Sequence, residues 1–189
     1  VSGGTDKLHY YLSAEYLNQD GIALNTGYKK AGFRSNIEAQ ANKFLKIGNN
    51  ANMTYRYTEG SGGTRFSDVI FNAPIIPAYD EDGSYGEPNT SLTGSKNAMA
   101  EIGWNTPANH NYRLMDNLFL EFKITDWLKF RFNGGIDMVY NEYKSFLPKF
   151  NDGGQTNTRN SYTEQRSKNF MWMTDYLLYF DKNFGKHAV

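Results

Sequence analysis

The sequence predicts an all-β fold, an antiparallel up-and-down meander that forms a partial segment of a large transmembrane β-barrel. Three observations carry this. The 189 residues are only 39% hydrophobic, with a mean hydropathy of -0.67, yet 16% are aromatic, including 14 Tyr and 13 Phe. Apolar and polar residues alternate with period two over long stretches. The links between those stretches alternate between very short and long. Disordered chains lack such a share of rings, and the Leu, Ala, Glu and Lys of a helical bundle at helical spacing are missing. Tyr, Phe, Asn, Thr and Gly with few aliphatics suit a sheet that is apolar on one face and wet on the other.

Strands are expected near 6–18, 28–41, 45–58, 111–124, 128–144 and 164–181, with another starting at 186. In the first, Leu8, Tyr10, Leu12, Ala14 and Tyr16 oppose His9, Tyr11, Ser13 and Glu15. In the second, Ala31, Phe33, Ile37, Ala39 and Ala41 oppose Lys30, Gly32, Arg34, Asn36 and Glu38. The third sets Leu45, Ile47, Ala51, Met53, Tyr55 and Tyr57 against Lys46, Asn50, Asn52, Thr54 and Arg56, and Asn49 interrupts its apolar face once. Leu118, Leu120, Phe122 and Ile124 mark the fourth strand, and Phe130, Phe132, Ile136, Met138 and Tyr140 the fifth. Phe170, Trp172, Tyr176, Leu178 and Phe180 mark the sixth. Each runs for about a dozen residues or more, against about 5–6 for an ordinary strand. A tilted strand needs about 9–11 residues to cross a bilayer. Sandwich strands would be shorter and their turns closer together.

The tight links are Asn42-Lys43-Phe44, Thr125-Asp126-Trp127 and Lys182-Asn183-Phe184. Each places an aromatic residue after two polar ones. Transmembrane barrels have short periplasmic turns and longer extracellular loops, so Phe44, Trp127 and Phe184 are expected as interface aromatics on the periplasmic rim. The long link 59–110 then belongs to the extracellular rim, where a loop of that length is normal. In a compact soluble domain it would count against the assignment.

Net charge is +0 and the 20 basic residues form no run, so nucleic acid is not an expected partner. There is no cysteine, hence no disulfide and no thiolate metal site. No apolar stretch is long enough for a transmembrane helix. The start has neither Met nor signal peptide, and the end stops as a strand begins, so both ends read as cut.

Chemistry-bearing constellations are few. His9, His110 and His187 fall on different elements without metal-ligand spacing, and no cofactor loop or nucleophile elbow is present. Gly60-Ser61-Gly62-Gly63-Thr64-Arg65 reads as a flexible loop. Asp80-Glu81-Asp82-Gly83 could offer oxygens to calcium, but Asp-Gly is also a common turn. Glu15, Glu38, Glu121 and Asp137 could be imagined as paired acids; a charged lumen wall explains them all. Neither an enzyme nor a cofactor or metal is expected. Tyr79, Tyr85 and Trp104 are the candidate ligand-binding residues, because rings beside amides and carboxylates suit a sugar or peptide. The same rings could instead pack the loop onto itself or onto a partner.

Several runs resemble a known family. Tyr10-Tyr11-Leu12-Ser13-Ala14-Glu15-Tyr16-Leu17-Asn18-Gln19-Asp20-Gly21-Ile22 is similar to a strand-and-loop signature of SusC/RagA-type TonB-linked outer-membrane proteins of Bacteroidetes. Asn25-Thr26-Gly27-Tyr28-Lys29-Lys30, Phe33-Arg34-Ser35-Asn36-Ile37, Phe44-Leu45-Lys46-Ile47-Gly48, the stretch from Ala73 to Gly83, and Phe184-Gly185-Lys186-His187 continue the likeness in order. The region from Tyr85 to Asn109 matches least. The resemblance implies a barrel of about 22 strands around a plug, in the bacterial outer membrane. It also implies energised uptake of glycans or peptides, with a SusD-type surface lipoprotein as lid. The plug and the TonB contact would lie in parts this chain lacks, so its expected share is barrel wall in contact with outer-membrane lipid, together with ligand and lid loops. The alternative is a soluble all-β carbohydrate-binding domain.

Overall fold

The computed structural model describes residues 1–60, 69–70, 73–87, 97–151, 156–184 and 187–188, without the side chains of 183, 184, 187 and 188. The strands are β1 (Ser2–Thr5), β2 (Leu8–Asp20), β3 (Gly27–Gln40), β4 (Leu45–Glu59), β5 (Ala108–Lys123), β6 (Leu128–Leu147), β7 (Phe150–Asn151), β8 (Thr156–Asn157), β9 (Ser161–Phe180), β10 (Asn183–Phe184) and β11 (His187–Ala188). A short helix, α1 (Ala98–Trp104), lies between β4 and β5. One antiparallel sheet of seven strands runs β1-β2-β3-β4-β5-β6-β9, each strand beside its neighbour in the chain apart from the small β7–β8 hairpin. The fold is that of a meander, as the sequence predicts. β1 is an addition: Ser2-Gly3-Gly4-Thr5 shows no alternation, yet it pairs with Leu8–Tyr11 through a turn at Asp6-Lys7.

The register decides which residues share a face. One row joins Tyr16, Ala31, Tyr55, Tyr112 and Tyr140 across five strands. Ten residues away along each strand, a second row joins Leu45, Phe122, Phe130 and Leu178. At about 3.4 Å per residue and a tilt near 45°, the rows stand ~24 Å apart. An outer-membrane apolar band is about 25 Å tall. The side chains between the rows are almost all apolar, and many stand open, including Trp172 at 68% exposure.

A polar pair breaks this belt near mid-height. Asn49 Nδ2 donates to Asp116 Oδ1 at 2.7 Å, and both side chains lie on the apolar face. The opposite face carries Glu15, Glu38, Glu121 and Asp137, each beside a cation. Phe119 lies there as well, buried to 5% exposure and covered by the Arg131 guanidinium 3.9 Å from its ring centre. Directly across the ladder is Gly48, where any Cβ would overlap the Phe119 ring. The ring fills the space a side chain would need, and Arg131 closes over it.

Two outcomes follow from this packing. The chain produced without detergent should aggregate, because β1 and β9 are open edges and the apolar face is uncovered. A monodisperse monomer with cooperative unfolding in water, measured by light scattering and near-UV circular dichroism, would remove the membrane-wall interpretation. Gly48→Ala should cost about 1–3 kcal/mol by overpacking, read from urea unfolding of the lipid-embedded protein. Gly48→Ala/Phe119→Leu should recover part of that loss.

Candidate functional site

Connections sort cleanly by rim. One rim carries the tight turns and the other the long loops between β2 and β3, β4 and β5, and β6 and β9. At the tight rim the Asn42 carboxamide oxygen accepts from the Phe44 and Leu45 amides at 2.8 and 3.0 Å, an Asx turn that fixes the link. The Phe44 carbonyl then accepts from Lys123 N, and the Trp127 carbonyl from Asp181 N, so each turn is latched to the next strand. Lys43 lies over the Phe44 ring, and Lys182 over Trp127, whose ring meets Phe180 edge-on. Asp126 is bonded by Lys123 at 2.6 Å, which holds its carboxyl below the usual range. Phe184 is placed by its backbone in β10, while its side chain lies outside the described residues.

On the opposite rim, Asn97 organises the long loop. It is 1% exposed and is the N-cap of α1, its side-chain oxygen accepting from Met99 N and Ala100 N. Its amide nitrogen lies 2.9–3.3 Å from the carbonyls of Gly86, Ala78 and Pro77, to which it donates. One carboxamide thereby ties the helix to a hairpin in which Tyr79 and Tyr85 pair across an Asp80–Ser84 turn. Gly83 adopts φ +85° there, a conformation glycine takes without steric cost. Asp82 accepts from the amide and hydroxyl of Ser84, which lowers its carboxyl pKa. Asp80-Glu81-Asp82-Gly83 is thus bonded as a turn, and no metal-competent cluster of acids and histidines occurs among the described residues. Ile76, Ala98, Ala100 and Ile102 form a small core beneath.

The structure brings Tyr79, Tyr85 and Trp104 together. Tyr79 stacks on Tyr85 at 5.4 Å, Tyr85 meets Trp104 edge-on at 5.7 Å, and Trp104 stacks on Phe150 at 3.6 Å with planes 9° apart. These rings are largely spent on one another; Tyr79, 52% exposed, offers the most open face. Phe150 escaped the sequence reading because it follows Pro148 just past the end of β6, outside any alternating run. The chain of rings bridges two loops, and further bonds widen the ensemble: Asn25 Nδ2 donates to the Ile102 carbonyl, and Ser145 Oγ to Asn105 Oδ1. All three long loops are therefore joined.

The polar wall below is paired in a regular way. Lys30 bonds Glu15 at 2.6 Å, Lys46 bonds Glu38 at 2.6 Å, and Arg131 lies 3.8 Å from Glu121. Arg113 grips Asp137 with two bonds at 3.0 and 2.7 Å. The four carboxylates thus stand apart, each with its own cation. Of the histidines, His9 lies on this wall, while His110 bonds the Tyr55 hydroxyl at 2.9 Å on the apolar-face side; the His187 side chain is outside the described residues.

Replacing Asn97 with Ala should loosen the long loop by about 1–2 kcal/mol, the usual cost of a lost cap with its bonds. Limited proteolysis should then cut within 73–107 much faster than in the parent. Unchanged cleavage would show that the loop is held by other contacts.

No family model matches the chain. Among curated proteins it is 26% identical over 175 residues to TonB-dependent receptor P26 of Formosa agariphila, covering 92% of this chain and 16% of that protein. It is 27% identical over a 200-residue alignment to TonB-dependent receptor P3 of the same organism, covering 100% of this chain and 20% of that protein. The chain therefore spans a fifth or less of the length of these relatives. Among solved structures it superposes on the RagAB peptide importer in its closed-closed state with a TM-score of 0.78, at 16% identity, over 97% of this chain and 22% of that one. A second RagAB peptide transporter structure gives 0.76 over 98% of this chain and 22% of that one, again at 16% identity. The chain is similar in sequence to TonB-dependent receptors along almost its whole length, and its fold matches a barrel segment of the RagAB importer, in line with the resemblance read from its residues.

Proposed function

We propose that this chain supplies wall and outer-rim loops to a TonB-dependent outer-membrane importer that takes up peptides, with glycans as the second substrate class. The observation that carries this reading is the segregation of the sheet. A ~24 Å apolar belt covers one face, ion pairs line the other, tight turns occupy one rim and long loops the other. The apolar face meets outer-membrane lipid, and the ion-paired face meets the lumen. Phe44, Trp127 and Phe184 sit at the periplasmic interface. Tyr16, Tyr55, Tyr112 and Tyr140 form the aromatic row at the outer one. Peptides come first because the fold matches that of a peptide importer.

The joined loops form the external surface on which a SusD-type lipoprotein would seat as a lid. Tyr79, with its open face, is the ring best placed for ligand or lid. Tyr85 and Trp104 hold it in position by stacking. TonB coupling would rest with parts of an importer outside this segment.

Epitope tags in the parent protein test the reading. A tag inserted at Asp82-Gly83 should be labelled on intact cells and recovered with the outer membrane. A tag at Asp126 should be reached only after permeabilisation. Recovery in a soluble fraction would sink the membrane reading, and labelling at Asp126 alone would invert the orientation. Deleting the gene should abolish growth on a peptide source. If growth on peptides persisted and growth on a glycan were lost, the substrate class would change.

A further inference from the structure

The polar wall has more cation than its carboxylates neutralise. Its upper middle holds Lys30, Arg34, Arg56 and Arg113 on three adjacent strands. The acids there are Glu15 and Asp137, committed to Lys30 and Arg113. Four cations against two carboxylates leave two guanidiniums, those of Arg34 and Arg56, with no acidic partner among the described residues. Arg34 stands exposed. Arg56 directs a buried Nε at no acceptor, beside the equally unpartnered Oδ1 of Asn111 across the ladder. Two guanidiniums without a carboxylate leave this part of the wall net positive, which favours an anion.

The cations border a groove. A depression of about 570 Å³ is lined by Arg34, Asn50, Asn117, Met115, Met171 and Met173, among others. A smaller one of about 200 Å³ is lined by Tyr28, Lys30, Arg56 and Arg113. Asn52 and Met115, directly opposite each other in register, line both, so the two depressions adjoin. The groove's lining acids are Asp137, bonded to Arg113, and Asp116, bonded to Asn49 on the opposite face; Asp175 is not among them. From β3 to β9 the groove crosses four strand spacings, ~19 Å, enough for about six residues of extended chain.

We infer that this groove binds an acidic peptide segment in extended form, with Arg34 and Arg56 taking its carboxylates and the methionines taking an apolar side chain. The inference rests on the importer reading and narrows its substrate. Thioether side chains adapt to varied apolar groups, and the Asn carboxamides can both donate to and accept from a peptide backbone. Of the groove's aromatic lining residues, Tyr28 is half-buried at one end and Trp172 belongs by register to the apolar face, so the apolar part of the floor is made by methionines, which favours peptide over uronate. Guanidinium pairs with carboxylate through two parallel bonds, a geometry a lysine does not reproduce.

The test uses the full-length protein containing this segment, purified in detergent. Fluorescence anisotropy compares a labelled octapeptide rich in Asp and Leu, its Asn-for-Asp counterpart, and a labelled oligouronate. The acidic peptide should bind about tenfold more tightly than the neutral one. Arg34→Gln/Arg56→Gln should remove that difference by weakening the acidic peptide far more than the neutral one, and Met115→Ser should weaken both peptides. Resistance of the variants to trypsin controls for folding. Equal affinity for the two peptides in the parent, or a preference that survives loss of both arginines, overturns the inference. Tighter binding of the oligouronate overturns it in favour of a glycan. Failure of a Met115→Cys variant to react with a water-soluble maleimide before peptide is added also overturns it, because the groove would then be covered by the rest of the chain. The importer reading fails separately, through loss of outer-membrane recovery or of uptake of every peptide and glycan.

Discussion

Everything in this molecule depends on the lateral hydrogen-bond ladder between strands. Inside a bilayer no water is present to satisfy a backbone amide or carbonyl, and each unmet group costs several kcal/mol. Strands can cross only if each is paired along its full length. The pairings of β3 with β4, β4 with β5 and β5 with β6 run unbroken through 14 to 16 residues. Once the ladder is fixed, period two divides the side chains between two solvents with no further choice. This explains how a chain with a mean hydropathy of -0.67 can present an apolar belt. The polar residues that lower the mean are the other half of every strand.

The same ladder makes the rims unequal. Links such as Asn42-Lys43-Phe44 add no surface and are locked by Asx bonding and by carbonyls that reach the next strand. On the far rim the ladder ends and the chain is free to build. It builds a small core of Ile76, Ala98, Ala100 and Ile102, held by one buried carboxamide and bound to the loops on either side. The central position of the β4–β5 loop in the sheet order is what lets it touch both neighbours. A single buried Asn can hold this much because both halves of its amide are used, the oxygen on the helix and the nitrogen on the hairpin.

Alternation and tight turns made the meander and its two faces legible in the sequence, because both signals lie within a few neighbouring residues. Features that depend on distant pairing were not legible. The break at Asn49 is visible in the sequence, but its partner Asp116 is 67 residues away and is named only by the register. β1 was hidden by Gly3 and Gly4, which give no alternating signal. Helix α1 was hidden because its seven residues are too few for a helical period and its cap depends on a hairpin twenty residues earlier. The three loop rings were visible as rings. Their mutual stacking was not, since it depends on how the loop folds back over β6.

Alternation has a blind spot that the polar contacts fill. A slip of one residue throws every apolar side chain onto the wrong face and is strongly rejected. A slip of two keeps every face correct and, by apolar burial alone, costs little. Asn49 with Asp116 breaks that degeneracy between β4 and β5 in one direction, since a two-residue slip that moves them apart leaves a carboxylate and a carboxamide separated within the belt. On the other face, Lys46 with Glu38 marks the β3–β4 register, and Arg113 with Asp137 the β5–β6 register. Phe119 against Gly48 does the same by shape, because a slip would bring the ring against a side chain. Exposed ion pairs add at most about 1 kcal/mol to stability. Their larger effect here is discrimination: each contributes little to the native ladder, while a slip that moves the partners apart loses the contact between those two strands.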